Sequence, residues 1–192
     1  MTRRRPELVA IGTSAGGIDA LFQLFDGLPP SDHAAVVTVL HLPEDHDSQL
    51  VELFARRLGR DRVHEAQPGA RLEPGRLYFA PPGYHLLLEA DRTFSLSCEP
   101  PALFSRPSID VLLESCADAL GPAVAGMLLT GANEDGARGL AAIGARGGLT
   151  AAQDPADAAY PTMPAAAIAA APPDFVLPLP DLRTLLHTLL TR

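Results

Sequence analysis

A chain of 192 residues suits one compact domain, and its 47% apolar and 20% charged residues describe a globular protein with a sizeable core. A formal net charge of -8 removes the usual basis for non-specific binding to phosphate backbones or anionic lipid, so nucleic acid is not an expected partner. Charges or prolines interrupt every apolar run short of the roughly 18 residues that a membrane span requires, so membrane insertion is not expected either. Cys98 and Cys116, the only cysteines, are too few for a disulfide framework or a four-ligand zinc site and fit a reducing cytoplasm.

Residues 1–7 read as a short basic tail, because the Arg-rich start lacks the long apolar run of a signal peptide. Short apolar runs without polar alternation recur at 8–11, 35–40, 124–130 and 148–153, the pattern of strands in a parallel sheet covered on both faces. Helical patterns lie between and after them at 18–25, 48–58, 108–120, 135–145 and 181–190, and residues 164–171 are helix-compatible. Strand and helix in alternation predict a doubly wound α/β fold with a mostly parallel sheet. One interval breaks the alternation: 85–90 and 93–98 have strand character around Asp91-Arg92 and predict an antiparallel hairpin near the site. The Pro-rich stretch from Glu99 to Ser108 reads as an active-site wall leading into a helix capped by Ser108.

Ser14 stands in Ile11-Gly-Thr-Ser-Ala-Gly-Gly17, between a predicted buried strand and a predicted helix, which fits the Gly-x-Ser-x-Gly nucleophile elbow in its proper context. The same loop could cradle a phosphate at a helix N-terminus, although it lacks Gly-x-Gly-x-x-Gly spacing and the Lys of a P-loop. On the loop alone the two readings are level. His41 directly follows the strand at 35–40 and so reaches the carboxyl edge of the sheet, where ligands bind in open α/β folds. Asp135, in Leu128-Leu-Thr-Gly-Ala-Asn-Glu-Asp-Gly136, follows a third strand end; alone it could equally serve as a helix-start acid. Glu134 and Asp157 compete with it for the acidic role. Ser, His and Asp at three strand ends supply a nucleophile, a general base and an orienting anion. Their chain order departs from the Ser, Asp, His order of ordinary α/β-hydrolases.

The chain resembles the catalytic domain of CheB-type chemotaxis receptor methylesterases over nearly its whole length. The resemblance rests on Ile11 to Gly17, His41-Leu-Pro43, Leu77-Tyr-Phe-Ala-Pro81 with His85, Arg106-Pro-Ser-Ile-Asp110, Leu129-Thr-Gly131 with Asp135-Gly-Ala137, and Met163-Pro164. It implies a serine hydrolase of glutamyl methyl esters on chemoreceptors, with deamidation of receptor glutamines in some members. The catalytic Ser, His and Asp then fall on Ser14, His41 and Asp135. Backbone N–H groups near Ala132 and at the turn by His41 are the expected oxyanion donors. No cofactor and no metal are implied, and the pair His41 and His46 lacks the acidic spacing of a metal site.

Three positions depart from the family's usual residues: Ala15 where Thr is frequent, Ser105 where His is frequent, and Ala165 where Arg is frequent. They bear on substrate choice more than on the reaction and keep open a serine esterase or amidase with another substrate, or a non-catalytic signalling module. Typical members carry a receiver domain ahead of the catalytic one. Here residues 8–192 read as the catalytic domain with no receiver, which fits a trimmed catalytic domain, a natural stand-alone esterase or a piece of a larger signalling protein, the Arg-rich start favouring the second.

Overall fold

The structure, a computed structural model, describes residues 5–41 and 49–191. The Arg-rich start through residue 4, Leu42 and Pro43 of the His41 motif, His46, and the predicted helix start at Ser48 lie outside the described residues.

The chain forms β1 (Leu8–Thr13), α1 (Gly17–Leu24), β2 (Ala35–Leu40), α2 (Leu50–Leu58), β3 (Val63–Glu65), β4 (Leu77–Phe79), β5 (His85–Leu88) and β6 (Phe94–Ser97). It continues through α3 (Ile109–Leu120), β7 (Val124–Leu128), α4 (Ala137–Ala145), β8 (Leu149–Gln153), α5 (Thr162–Ala170), β9 (Phe175–Leu177) and α6 (Leu179–Thr191). Seven strands form one parallel sheet in the order β3-β4-β2-β1-β7-β8-β9, and β5 pairs with β6 as the expected antiparallel hairpin. The doubly wound reading holds. Three short strands, β3, β4 and β9, were not among the expected ones.

Alternation along β1 explains the two-faced burial. Leu8 and Ala10 join a core with α3, α4, α5 and the hairpin, whereas Val9 and Ile11 join one with α1, α2 and α6. Both faces of the strand are apolar because both are covered. Strand β1 has β2 on one side and β7 on the other, which makes it the point where the strand order reverses. A crevice therefore opens beyond its carboxyl end.

Close packing fixes what stands at that crevice. A Cβ on Gly12 would lie 2.3 Å from Ile109 Cγ2 and 2.7 Å from Leu128 Cδ2, so only glycine lets the first residue of α3 rest against β1. Gly16 is needed for another reason, since at φ 75° it makes the left-handed turn from β1 into α1. The two small residues flanking Ser14 thus serve packing on one side and turning on the other.

Candidate active site

Ser14 and His41 occupy the next register positions beyond β1 and β2, which pair in parallel up to Thr13 and Leu40. Adjacent parallel strands lie about 4.8 Å apart, so the two residues are neighbours by construction. The Ser14 N–H donates to the Thr130 carbonyl at 3.0 Å, and the His41 N–H donates to the Thr13 carbonyl at 3.2 Å. The His41 N–H itself therefore continues the sheet ladder and is not a free donor for an oxyanion, while the turn that follows it lies outside the described residues.

Asp135 arrives from the loop after β7. Helix α4 begins at Ala137 with Gly136 as its N-cap, so Asp135 does not start its own helix as an acid of the first turn would. Its carboxylate turns to the beginning of α3. It accepts the Ser108 hydroxyl at 2.8 Å, the Ile109 N–H at 2.6 Å, the Asp110 N–H at 3.0 Å, and His41 Nε2–H at 2.8 Å. A helix N-terminus has unpaired N–H groups and a positive dipole end, both suited to an anion. Burial works to raise the carboxyl pKa, but the bonds from His41, Asp110, Ile109 and Ser108 outweigh it and hold the group below its usual value. Asp135 is fully buried and ionised at neutral pH.

The other two acidic candidates do not reach His41. Asp157 accepts Gln153 Nε2–H at 2.8 Å and the Leu179 N–H at 2.9 Å, fastening β8 to the start of α6. Glu134 faces solvent beside the site.

An ionised carboxylate is an acceptor only, so Nε2 of His41 must carry hydrogen, and in the neutral ring Nδ1 carries the lone pair. This is the reverse of serine triads in which the carboxylate takes Nδ1 and Nε2 acts as base. The Nδ1 position is occupied by the Ser105 hydroxyl at 3.2 Å. Among the described residues the Ser14 hydroxyl makes no hydrogen bond. The structure therefore joins His41 to Asp135 directly and sets Ser14 beside His41 in the strand register, with Ser105 on the nitrogen that Ser14 would need.

Around Ser14 the backbone is open to an anion. The N–H groups of Ala15 and Gly16 find no acceptor among the described residues, and neither does that of Ala132, which is exposed. Ala132 is carried by a braced turn: Gly131 N–H donates to the Tyr160 carbonyl and the Met163 N–H to the Gly131 carbonyl, each at 3.0 Å. A Cβ on Gly131 would lie 2.5 Å from the buried Met163 side chain, which accounts for the Met163-Pro164 motif as support for this turn. Thr130 adds further bracing, donating its hydroxyl to the Ala15 carbonyl at 3.0 Å and accepting the Tyr160 N–H at 2.8 Å.

His85, quoted only as part of a motif, also has a supporting role. Its Nδ1 accepts the Ser108 N–H at 3.1 Å and its Nε2–H donates to the Pro100 carbonyl at 3.2 Å. It ties the loop before α3 at both ends. Beside this loop lies a groove of about 650 Å³ bounded by Leu103, Glu134 and Arg138 and lined by the small side chains Ala137, Ala166 and Ala169. Among the described residues no group of three His, Cys, Asp or Glu could hold a metal, and no helix is long and apolar enough to cross a membrane.

The family model for the CheB methylesterase domain matches residues 9–186. A protein of Leptospira interrogans named for protein-glutamate methylesterase and protein-glutamine glutaminase activity is 41% identical over 173 residues, covering 90% of this chain and 89% of its own length. A protein-glutamate methylesterase/protein-glutamine glutaminase of Anaeromyxobacter dehalogenans is 41% identical over 181 residues, or 92% of this chain, which spans 50% of that relative. The crystal structure of the Thermotoga maritima CheB methylesterase catalytic domain superposes with a TM-score of 0.89 at 29% identity, covering 96% of this chain and 98% of that one.

Proposed function

The chain belongs to the CheB methylesterase family, and from that premise we propose that it hydrolyses glutamyl methyl esters on a methylated chemoreceptor in the cytoplasm, as part of two-component chemotaxis signalling. The observation that carries the reading is the buried Asp135 to His41 bond of 2.8 Å at the carboxyl edge of the sheet, with Ser14 beside it on the adjacent strand.

In this reaction Ser14 Oγ attacks the ester carbonyl carbon as its proton passes to His41 Nδ1, giving a tetrahedral oxyanion and an imidazolium. The imidazolium is stabilised by the ionised Asp135 at Nε2. The oxyanion is met by the open N–H groups near Ser14 and at Ala132, a kind of contact worth about 3 kcal/mol per donor in acyl-transfer sites. Collapse expels methanol, protonated from Nδ1, and leaves a glutamyl ester on Ser14. Water, deprotonated by the same nitrogen, then releases the glutamate carboxylate and restores Ser14. Replacing methanol by ammonia as the leaving group turns the same steps into deamidation of a receptor glutamine.

The groove between Leu103 and α5 suits a receptor helix, because its alanine lining admits a close approach and Glu134 and Arg138 offer charge at the rim. Methanol release from a methylated receptor fragment tests the reading. Wild type is expected to release it, and Ser14→Ala to lose activity by at least a factor of about 1,000. Equal rates in the two would refute it.

A further inference from the structure

The general base offers one lone pair, and two hydroxyls have a claim to it. Nε2 of His41 is committed to Asp135, so a proton from Ser14 can go only to Nδ1. In the structure that position holds Ser105, whose O–H donates to it at 3.2 Å. An in-plane nitrogen lone pair accepts one good hydrogen bond, so Ser105 and Ser14 exclude each other. At 3.2 Å the Ser105 bond is longer than the usual hydroxyl bond and correspondingly easy to displace.

What holds Ser105 there is a two-residue turn. Ala102 and Ser105 exchange both backbone hydrogen bonds, at 3.1 and 2.9 Å, across Leu103 and Phe104. The two central residues have φ of 47° and 65°. A turn with both central residues at positive φ favours Asn-Gly, and bulky Leu and Phe are strained there. Phe104 is also fully exposed, at 102%. By contrast the ends of the loop are fixed, by His85 to Pro100 and Ser108 and by Arg106 to the carbonyls of Cys98 and Glu99. The segment that carries Ser105 is thus a strained, solvent-facing tip between firm anchors.

We infer that Ser105 is a specificity-determining latch on the general base: its hydroxyl masks His41 Nδ1 until a substrate large enough to press on the Leu103-Phe104 tip withdraws it and gives the lone pair to Ser14. The inference rests on the reading of Ser14 as nucleophile and His41 as base. It makes the chain slow toward small esters that cannot reach the tip and reserves the active arrangement for a protein substrate. Ser105 acts here through His41 and does not touch the reacting atoms.

The test is the rate at which a small fluorophosphonate, which has no contact with the tip, modifies the protein, with the labelled residue identified by peptide mapping. Wild type is expected to label slowly at Ser14. Ser105→Ala, lacking the competing hydroxyl, is expected to label about fivefold faster, the equivalent of one ordinary hydrogen bond. Ser105→Thr keeps a hydroxyl and returns the rate toward wild type. The double variant L103N/F104G gives the turn its preferred residues, holds Ser105 more firmly and slows labelling. With Ser105→Ala the preference for a methylated receptor fragment over p-nitrophenyl acetate narrows. Labelling of Ser105→Ala at or below the wild-type rate, with Ser14 still labelled in wild type, overturns the latch and leaves the nucleophile standing. Absence of label on wild-type Ser14, or label on Ser105 itself, overturns the underlying reading as well. Should Ser105→Ala fail to fold, a faster rate in L103N/F104G would by itself refute the latch.

Discussion

The two edges of the His41 ring are built to opposite standards. At Nε2 stands a fully buried carboxylate that holds four donors, one from the ring and three from the start of α3. At Nδ1 stands one hydroxyl at 3.2 Å, on a turn whose tip is exposed and strained. The first edge sets the orientation and tautomer of the ring and cannot move without loosening α3. The second can change at little cost. On the proposed mechanism His41 stays in place while its proton partner changes, and that role fits this division of rigidity behind the ring and freedom in front of it.

Breaking the rigid edge has the largest expected effect. Asp135→Asn presents an amide N–H₂ to a site already filled with donors, so kcat toward a methylated receptor fragment should fall on the order of 10⁴-fold, with stability lower by about 3 kcal/mol in urea unfolding. The same residue governs acid stability. Its pKa is lower folded than unfolded, so the unfolded chain binds more protons at acid pH and stability rises with pH through that window. The contribution is fully present above the unfolded carboxyl value of about 3.9 and is lost as pH falls through the lower folded value. Urea unfolding between about pH 2.5 and 6 should show a shallower slope in Asp135→Asn than in wild type.

Gly12→Ala attacks the same edge indirectly. Its Cβ would overlap Ile109 and Leu128 and push the start of α3, with its hold on Asp135, away from β1. The overpacking should cost about 2 kcal/mol in thermal or chemical unfolding and lower activity in parallel. Ser108→Ala is the mildest break. It removes a 2.8 Å bond to Asp135 and a long N-cap bond of 3.5 Å to the Val111 N–H, a loss of about 1 kcal/mol, with kcat reduced less than by Asp135→Asn. Equal effects on kcat from Ser108→Ala and Asp135→Asn would mean that the carboxylate works only as part of the helix cap and not through the ring.

Much of the rigid edge was legible in the sequence and little of the adjustable one. The short, unalternating apolar runs of β1 and β2 marked the buried strands, and those strands dictate that Ser14 and His41 be neighbours at the carboxyl edge. Asp135 rather than Glu134 or Asp157 was identifiable through family motifs, although its attachment to α3 was not, since that depends on a contact between residues 26 positions apart. Strands β3, β4 and β9 escaped because three residues are too few for a period, and Phe175 and Val176 in β9 are exposed. Ser105 stood out as a departure at its position, but nothing local places a hydroxyl on an imidazole 64 residues away. That pairing is a property of the loop conformation, which the tied ends of the loop determine.

Helices α3 and α4 also begin by serving each other. Asp135, just before α4, receives the first N–H groups of α3, while Asp110, in the first turn of α3, receives the Gly139 N–H of α4 at 2.8 Å and the Arg138 guanidinium at 2.9 Å. Each helix start is thus satisfied by a carboxylate that belongs to the other's neighbourhood. The orienting anion of His41 is therefore not an ornament added to a finished scaffold. The carboxylate that holds the His41 ring is the same one that completes the start of α3, so the ring is tied to the joint between two helices and shares its rigidity.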